Sequence, residues 1–168
     1  MKIYLIAFLT SLLFFPSIAH AAPAIESPIV NSKGEKIGKA QFKELPEGLQ
    51  ISINVSGLTP GIHAMHIHNT GICTPPDFKS AGAHFNPEGK KHGKENPEGF
   101  HAGDLPNLVV FGKGNAKVNF VAPGLSFNGK DAILKPGKTA LVIHASADDG
   151  KTDPSGNSGD RIACGVIG

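Results

Sequence analysis

Past its first fifteen residues the chain has no second long apolar run, and no stretch there keeps a helical hydrophobic period. The first absence excludes a chain that crosses a bilayer repeatedly with helices, and the second turns the reading away from helical folds. Excess charge is missing as well. Sixteen Lys and Arg stand against fourteen Asp and Glu, which gives nucleic acid or an acidic membrane surface little to recognise. No linker, repeat or low-complexity segment divides the chain. Cysteine occurs only at Cys73 and Cys164, and neither follows the apolar run closely enough to carry a lipid anchor. Arginine occurs once, at Arg161.

What is present begins with Lys2, an apolar-rich run from Ile3 to Phe15, Pro16 and the small-residue sequence Ala19-His20-Ala21. That order is a secretory signal peptide over residues 1–21, and the apolar part is too short to span a bilayer comfortably. The remainder, residues 22–168, has the size of one ordinary domain with its own core. The expected product is exported, most simply to a periplasm and alternatively to the medium, and free of the membrane after cleavage. Two cysteines in an oxidising compartment most simply make one disulfide.

Short segments rich in β-branched residues stand between turn signals: Gln50–Val55, Ile62–His68, Leu108–Phe111, Lys117–Val121 and Ala140–His144. From Leu49 to Val55 apolar and polar residues alternate, the period of a strand with one buried face. The fold class is therefore all-β, a sandwich or barrel. Two long turn-rich loops run from Asn69 to Leu105 and from Ser146 to Asp160, and loops of that length in a compact domain usually carry function.

Seven histidines remain after the signal is removed. His66 and His68 lie two apart on an expected strand, so they share a face and can grip one ion, while His63 has the opposite parity and points away. The first long loop holds His84, His92, His101 and Asp104. Three imidazoles and one carboxylate suit a tetrahedral zinc that is closed to water and shapes its loop. Three other signals fail. Gly137-Lys138-Thr139 lacks the glycine a phosphate loop needs at Ala132, Asp153, Ser155 and Asn157 lack the glycine and glutamate of a calcium loop, and the sequon Asn54-Val55-Ser56 sits inside a strand.

The segments Gly61–His68, Ser80–Pro87, Lys91–Gly93, His101–Leu105 and Gly159–Gly168, taken in order, resemble the successive signatures of exported bacterial copper,zinc superoxide dismutases. The resemblance runs from about Lys39 to the end. It implies a Greek-key β-sandwich or flattened barrel of the immunoglobulin-like kind, with long metal-binding and active-site loops. Copper would be bound by His66, His68, His84 and His144, and zinc by His84, His92, His101 and Asp104, with His84 shared. Asp148 would link His66 to His92 from behind the ligands. Arg161, positioned by a Cys73–Cys164 disulfide, would hold the anion beside copper.

The activity implied is disproportionation of superoxide to dioxygen and hydrogen peroxide, with copper alternating between two oxidation states, zinc structural and His84 supplying a proton. The alternative in another class is an exported copper/zinc-binding or copper-delivery protein of the same fold without turnover. A zinc hydrolase would need an open zinc position that this donor set does not offer. Oligomeric state is left open, a homodimer included. The segment after His144 is short and carries Asp148, Asp149, Asp153 and Asp160 against Lys151, so attraction of superoxide would fall to cations elsewhere, such as Lys90, Lys91 and Lys94. Ala64-Met65 stands where the family commonly has a glycine and an aromatic, a change in packing.

Overall fold

The structure is a computed structural model and describes residues 24–129, 132–135 and 137–168. The signal segment therefore lies outside the described residues. Among the described residues nine strands follow one another: β1 Ala24–Asn31, β2 Lys36–Leu45, β3 Gly48–Val55, β4 Gly61–His63, β5 Met65–His68, β6 Leu108–Val110, β7 Ala116–Ala122, β8 Thr139–His144 and β9 Arg161–Ile167. Among the described residues the helical content is one 3₁₀ turn at Lys79–Ala81. Seven strands form a curled antiparallel sheet in the order β5-β8-β9-β1-β2-β3-β7, and β4 pairs with β6 beside it. The all-β reading holds.

The alternation in β3 does what its period requires. Leu49, Ile51, Ile53 and Val55 are buried, and Gln50, Ser52 and Asn54 lie on the other face. Ile51 is registered between Phe42 of β2 and Phe120 of β7, and Ile53 between Ala40 and Val118. These side chains meet Met65, Ile67, Leu141 and Ile143 in the main core. β8 is buried along its whole length, because its opposite face, Ala140 and Val142, packs on Phe78, Ala81 and Cys164 under the first long loop. A strand covered on both sides reads as a continuous apolar run, and Ala140 to Ile143 is one.

The expected strand Ile62–His68 is broken at Ala64. Its amide donates to Ser146 O at 2.8 Å and its carbonyl accepts from the His144 amide at 3.0 Å, so the chain leaves the small sheet for the edge of the large one there. The break matters for function. It sets β5 antiparallel to β8, with His66 opposite Val142 and His68 opposite Ala140, and brings the loops 69–107 and 145–160 to the same end of the sheet. β1, β2 and β9 were not singled out as strands from the sequence. β1 and β2 alternate weakly, and β9 carries glycine and cysteine in place of a β-branched run.

Candidate metal centre

Six histidines and one aspartate, all buried, converge between the two loops. His66 and His68 project from β5, and His144 ends β8, where a register shift between Ile143 and His144 re-aims its ring. His66, His68, His84 and His144 bring one ligand atom each to a common region, and a second such group shares His66 and His84 and adds His92 and Asp104. His63, of opposite parity, faces away: its ring nitrogens lie 2.7 Å from His144 O and 2.8 Å from Thr59 O.

Each ring is oriented by the nitrogen that does not face the centre. His68 Nδ1 donates to Gly82 O at 2.9 Å, which leaves Nε2 3.4 Å from His144 Nε2. His144 Nδ1 is engaged by Gly159 O at 3.3 Å and Ser158 Oγ at 3.1 Å. His66 Nε2 donates to Asp148 Oδ2 at 2.8 Å, and its Nδ1 faces His144 Nε2 at 3.1 Å. Partners of this kind fix the tautomer and the direction of the lone pair. Burial, reinforced by the charge of His84, pushes His68 down to about 2. Burial and neighbouring rings push His144 down to about 3, and burial takes His84 to about 4 against the pull of Asp104. All three are therefore neutral donors at pH 7.

The second group is built around one oxygen. Asp104 Oδ2 accepts from the amides of Gly93 and His101, each at 3.0 Å, which turns Oδ1 toward the rings. Oδ1 lies 3.1 Å from Nδ1 of His84, 3.1 Å from Nδ1 of His92 and 3.2 Å from Nδ1 of His101. His101 Nδ1 is 3.3 Å from His84 Nδ1. Four donors about 2.0–2.1 Å from a tetrahedral zinc stand roughly 3.3 Å apart, so the set fits that ion. His92 Nδ1 is fully buried and has no hydrogen-bond partner. Its Nε2 donates to Asp148 Oδ1 at 3.0 Å, so the Asp148 carboxylate contacts both His66 and His92. Burial would lower His92, but the Asp104 and Asp148 carboxylates beside its two ring nitrogens outweigh burial and raise it to about 9 in the metal-free protein. His101 belongs to the set through Nδ1 although the tightest grouping leaves it out.

Arg161 opens β9 and stands beside the first group. Nη1 donates to Phe78 O at 2.8 Å and Nη2 to Gly82 O at 2.7 Å, the carbonyl that also orients His68. The Cys73–Cys164 disulfide is formed and ties that loop to β9. The guanidinium lines a cavity of about 500 Å³ with Asp77, Lys79 and Asp160. The three lysines named as alternative sources of attraction sit on the segment 84–104, each with a neighbour of its own. Lys90 pairs with Glu88 at 2.8 Å, Lys91 with Asp153 at 3.7 Å, and Lys94 lies 5.4 Å from the Phe100 ring centre.

Sequence reasoning missed several supports: the Gly82 and Gly159 carbonyls, Asp153, whose Oδ1 accepts from the His92 amide at 2.8 Å, Gly156 and Asn107. No periodicity marks them, because each acts on a residue distant in the chain.

Residues 36–167 match the copper/zinc superoxide dismutase (SODC) family. Superoxide dismutase [Cu-Zn] 1 of Aquifex aeolicus is 50% identical over 162 residues, which cover 95% of this chain and 95% of that one. Superoxide dismutase [Cu-Zn] 2 of the same organism is 52% identical over 142 residues, 83% of each chain. The solved structure of a superoxide dismutase-like protein from Bacillus subtilis superposes with a TM-score of 0.82 at 45% identity, covering 84% of this chain and 97% of that one. With a converging histidine cluster at the end of the same curled sheet, this chain belongs to the copper/zinc superoxide dismutase family, enzymes whose substrate is superoxide and whose metals are copper and zinc.

Proposed function

We propose that His66, His68, His84 and His144 hold the copper, that His84, His92, His101 and Asp104 hold the zinc, and that Arg161 binds the superoxide anion. One observation carries the assignment. His84 Nδ1 sits 3.1 Å from Asp104 Oδ1 in one group while the same residue supplies a ligand atom to the other, so Nε2 is left for the copper side. Four nitrogen donors suit tetragonal copper, and the mixed set suits zinc. Copper, when bound, exchanges single electrons with superoxide and so yields dioxygen from one anion and, with two protons, hydrogen peroxide from the next.

The protein supplies the rest. Asp148 fixes two rings at once. Arg161, held by two carbonyls, keeps its remaining N–H groups for a small anion beside His68. Nε2 of His84 is where the chain can hold a proton next to the reacting anion. Metal analysis of the purified protein should give one copper and one zinc per chain, and the loaded protein should remove superoxide far faster than free solution. A correctly metallated, disulfide-bonded protein without that activity would leave the copper-delivery reading. That reading also requires copper to pass readily to a competing chelator, whereas the enzyme should keep it through many cycles.

The disulfide supports an oxidising compartment and hence export, with a periplasm as the expected destination. Among the described residues no helix is long and apolar enough to cross a membrane. A homodimer would have Ile62, Val109 and Phe111 to use, three exposed apolar side chains on β4, β6 and the residue after β6. Sedimentation of the wild type beside Phe111→Ser is the measurement that decides it.

A further inference from the structure

Asp148 must be held at both ends of its reach to join His66 and His92, and it stands on a loop with little secondary structure of its own. Its backbone is gripped by a side chain from the other loop. Asn107 Nδ2 donates to Asp148 O at 3.0 Å, and the Asp148 amide donates to Asn107 Oδ1 at 2.9 Å. One amide side chain thus satisfies both polar groups of one residue forty-one positions away. Asn107 itself is fixed, since it lies three residues after Asp104 and immediately before Leu108, whose side chain is buried in the main core. On the far side, the Gly150 amide donates to Asp148 Oδ1 at 2.7 Å. Gly156 (φ +64°) presses so close that a Cβ there would stand 2.0 Å from the same oxygen. The carboxylate is therefore enclosed from its own loop, while its backbone is registered against the zinc-ligand segment by Asn107.

We infer that Asn107 is a positioning residue, which sets the height of the 145–160 loop so that Asp148 bridges the copper and zinc histidines. The inference rests on the ligand assignment above. Asparagine is required for this grip. It presents a donor and an acceptor in one plane, where aspartate would lose the bond to Asp148 O and place a negative charge beside Asp148 and Asp149. Without the grip the loop keeps its fold but Asp148 loses its register, so the rings of His66 and His92 are no longer held in one tautomer and direction. Loss of an outer partner of a metal-bound histidine typically weakens binding about 10- to 100-fold.

The test compares full-length wild type, Asn107→Ala, Asp148→Asn and the double variant. Zinc dissociation constants come from chelator competition, the tetrahedral absorption of cobalt(II) reports the zinc site, and the copper electron spin resonance spectrum reports the other. Asn107→Ala should weaken zinc about tenfold and shift both spectra, with the melting temperature of the metal-free protein within a few degrees of wild type. Because Asn107 acts through Asp148, adding Asn107→Ala to Asp148→Asn should cost less than twofold more. Asn107→Ala with wild-type zinc affinity and spectra overturns the inference. So does a double variant in which both losses appear in full, which would mean that Asn107 works by another route. A wild-type protein that retains neither metal would overturn the ligand assignment first, and the role of Asn107 with it.

Discussion

Arg161 is the residue whose surroundings make its role most testable. Its two carbonyl bonds hold the guanidinium beside the His68 support without touching a ligand atom, so changing it separates anion binding from metal assembly. Arg161→Glu should keep both metals and lower kcat/KM on the order of tenfold or more, since charge steering is worth at least that in rate. Arg161→Lys should fall between, because a point charge survives and the planar fork does not. The deficit of the glutamate variant should shrink as salt rises, screened over about 8 Å at physiological ionic strength. Equal rates for all three at low salt, with copper full, would make Arg161 purely structural. Gly156 offers a second test. Gly156→Ala drives a methyl group into Asp148 and the His92 ring, and gives alanine a positive φ, so zinc retention should fall and, because Asp148 also orients His66, the copper spectrum should shift with it. Zinc content after dialysis against a chelator measures it. Of the residues proposed as ligands, His66 and His68 are marked in the sequence by their interval and His84, His92, His101 and Asp104 by their clustering, while His144 is marked by the family resemblance alone; their supports carry no mark, because a glycine or an asparagine has no signature until its partner is known.

At the scale of elements, the disulfide clips a loop of 91 residues and anchors to β9 the segment whose carbonyls hold Arg161. Replacing both cysteines by serine should cost roughly 4 to 5 kcal/mol in denaturant unfolding on the chain-entropy view. The activity of the metal-loaded variant should fall at the same time, since Phe78 O and Gly82 O are then free to drift. An unfolding free energy within about 1 kcal/mol of wild type would mean that the loop is held by Phe78 and Ala81 in the small core instead. β3 and β8 were readable from alternation and from a continuous apolar run. The division of Ile62–His68 at Ala64 was not, because the change of sheet is imposed by hydrogen bonds from Ser146 and His144.

For the whole molecule, the buried histidines couple metal loading and stability to pH. His68, His84 and His144 have native values of about 2, 4 and 3, below the ordinary value near 6.5, so acid protonates the unfolded chain first. Stability of the metal-free protein should therefore fall as pH drops below about 6.5, the direction required when the unfolded state binds more protons. His92 behaves oppositely. With its value raised to about 9, its contribution is complete below 6.5 and disappears as pH rises through 9. It is protonated at pH 7, so zinc uptake by the metal-free protein should release about one proton there and fewer above pH 9. Calorimetric titration in two buffers of different ionisation enthalpy counts that proton. An uptake independent of buffer would show that His92 is already neutral.

The sequence by itself determined the all-β class, the core face of β3, the two long loops, the His66–His68 pair, the histidines and aspartate of the first loop and the single arginine. These follow from period, composition and residue chemistry, which are local properties. Only the tertiary structure decided which nitrogen of each ring faces the centre, that one carbonyl serves both His68 and Arg161, that Asp104 Oδ1 gathers three rings, and that Asn107 holds Asp148 in register. Each of those is a hydrogen bond or close contact between residues distant in the chain, and its geometry exists only once β5 and β8 have paired and brought the two loops together.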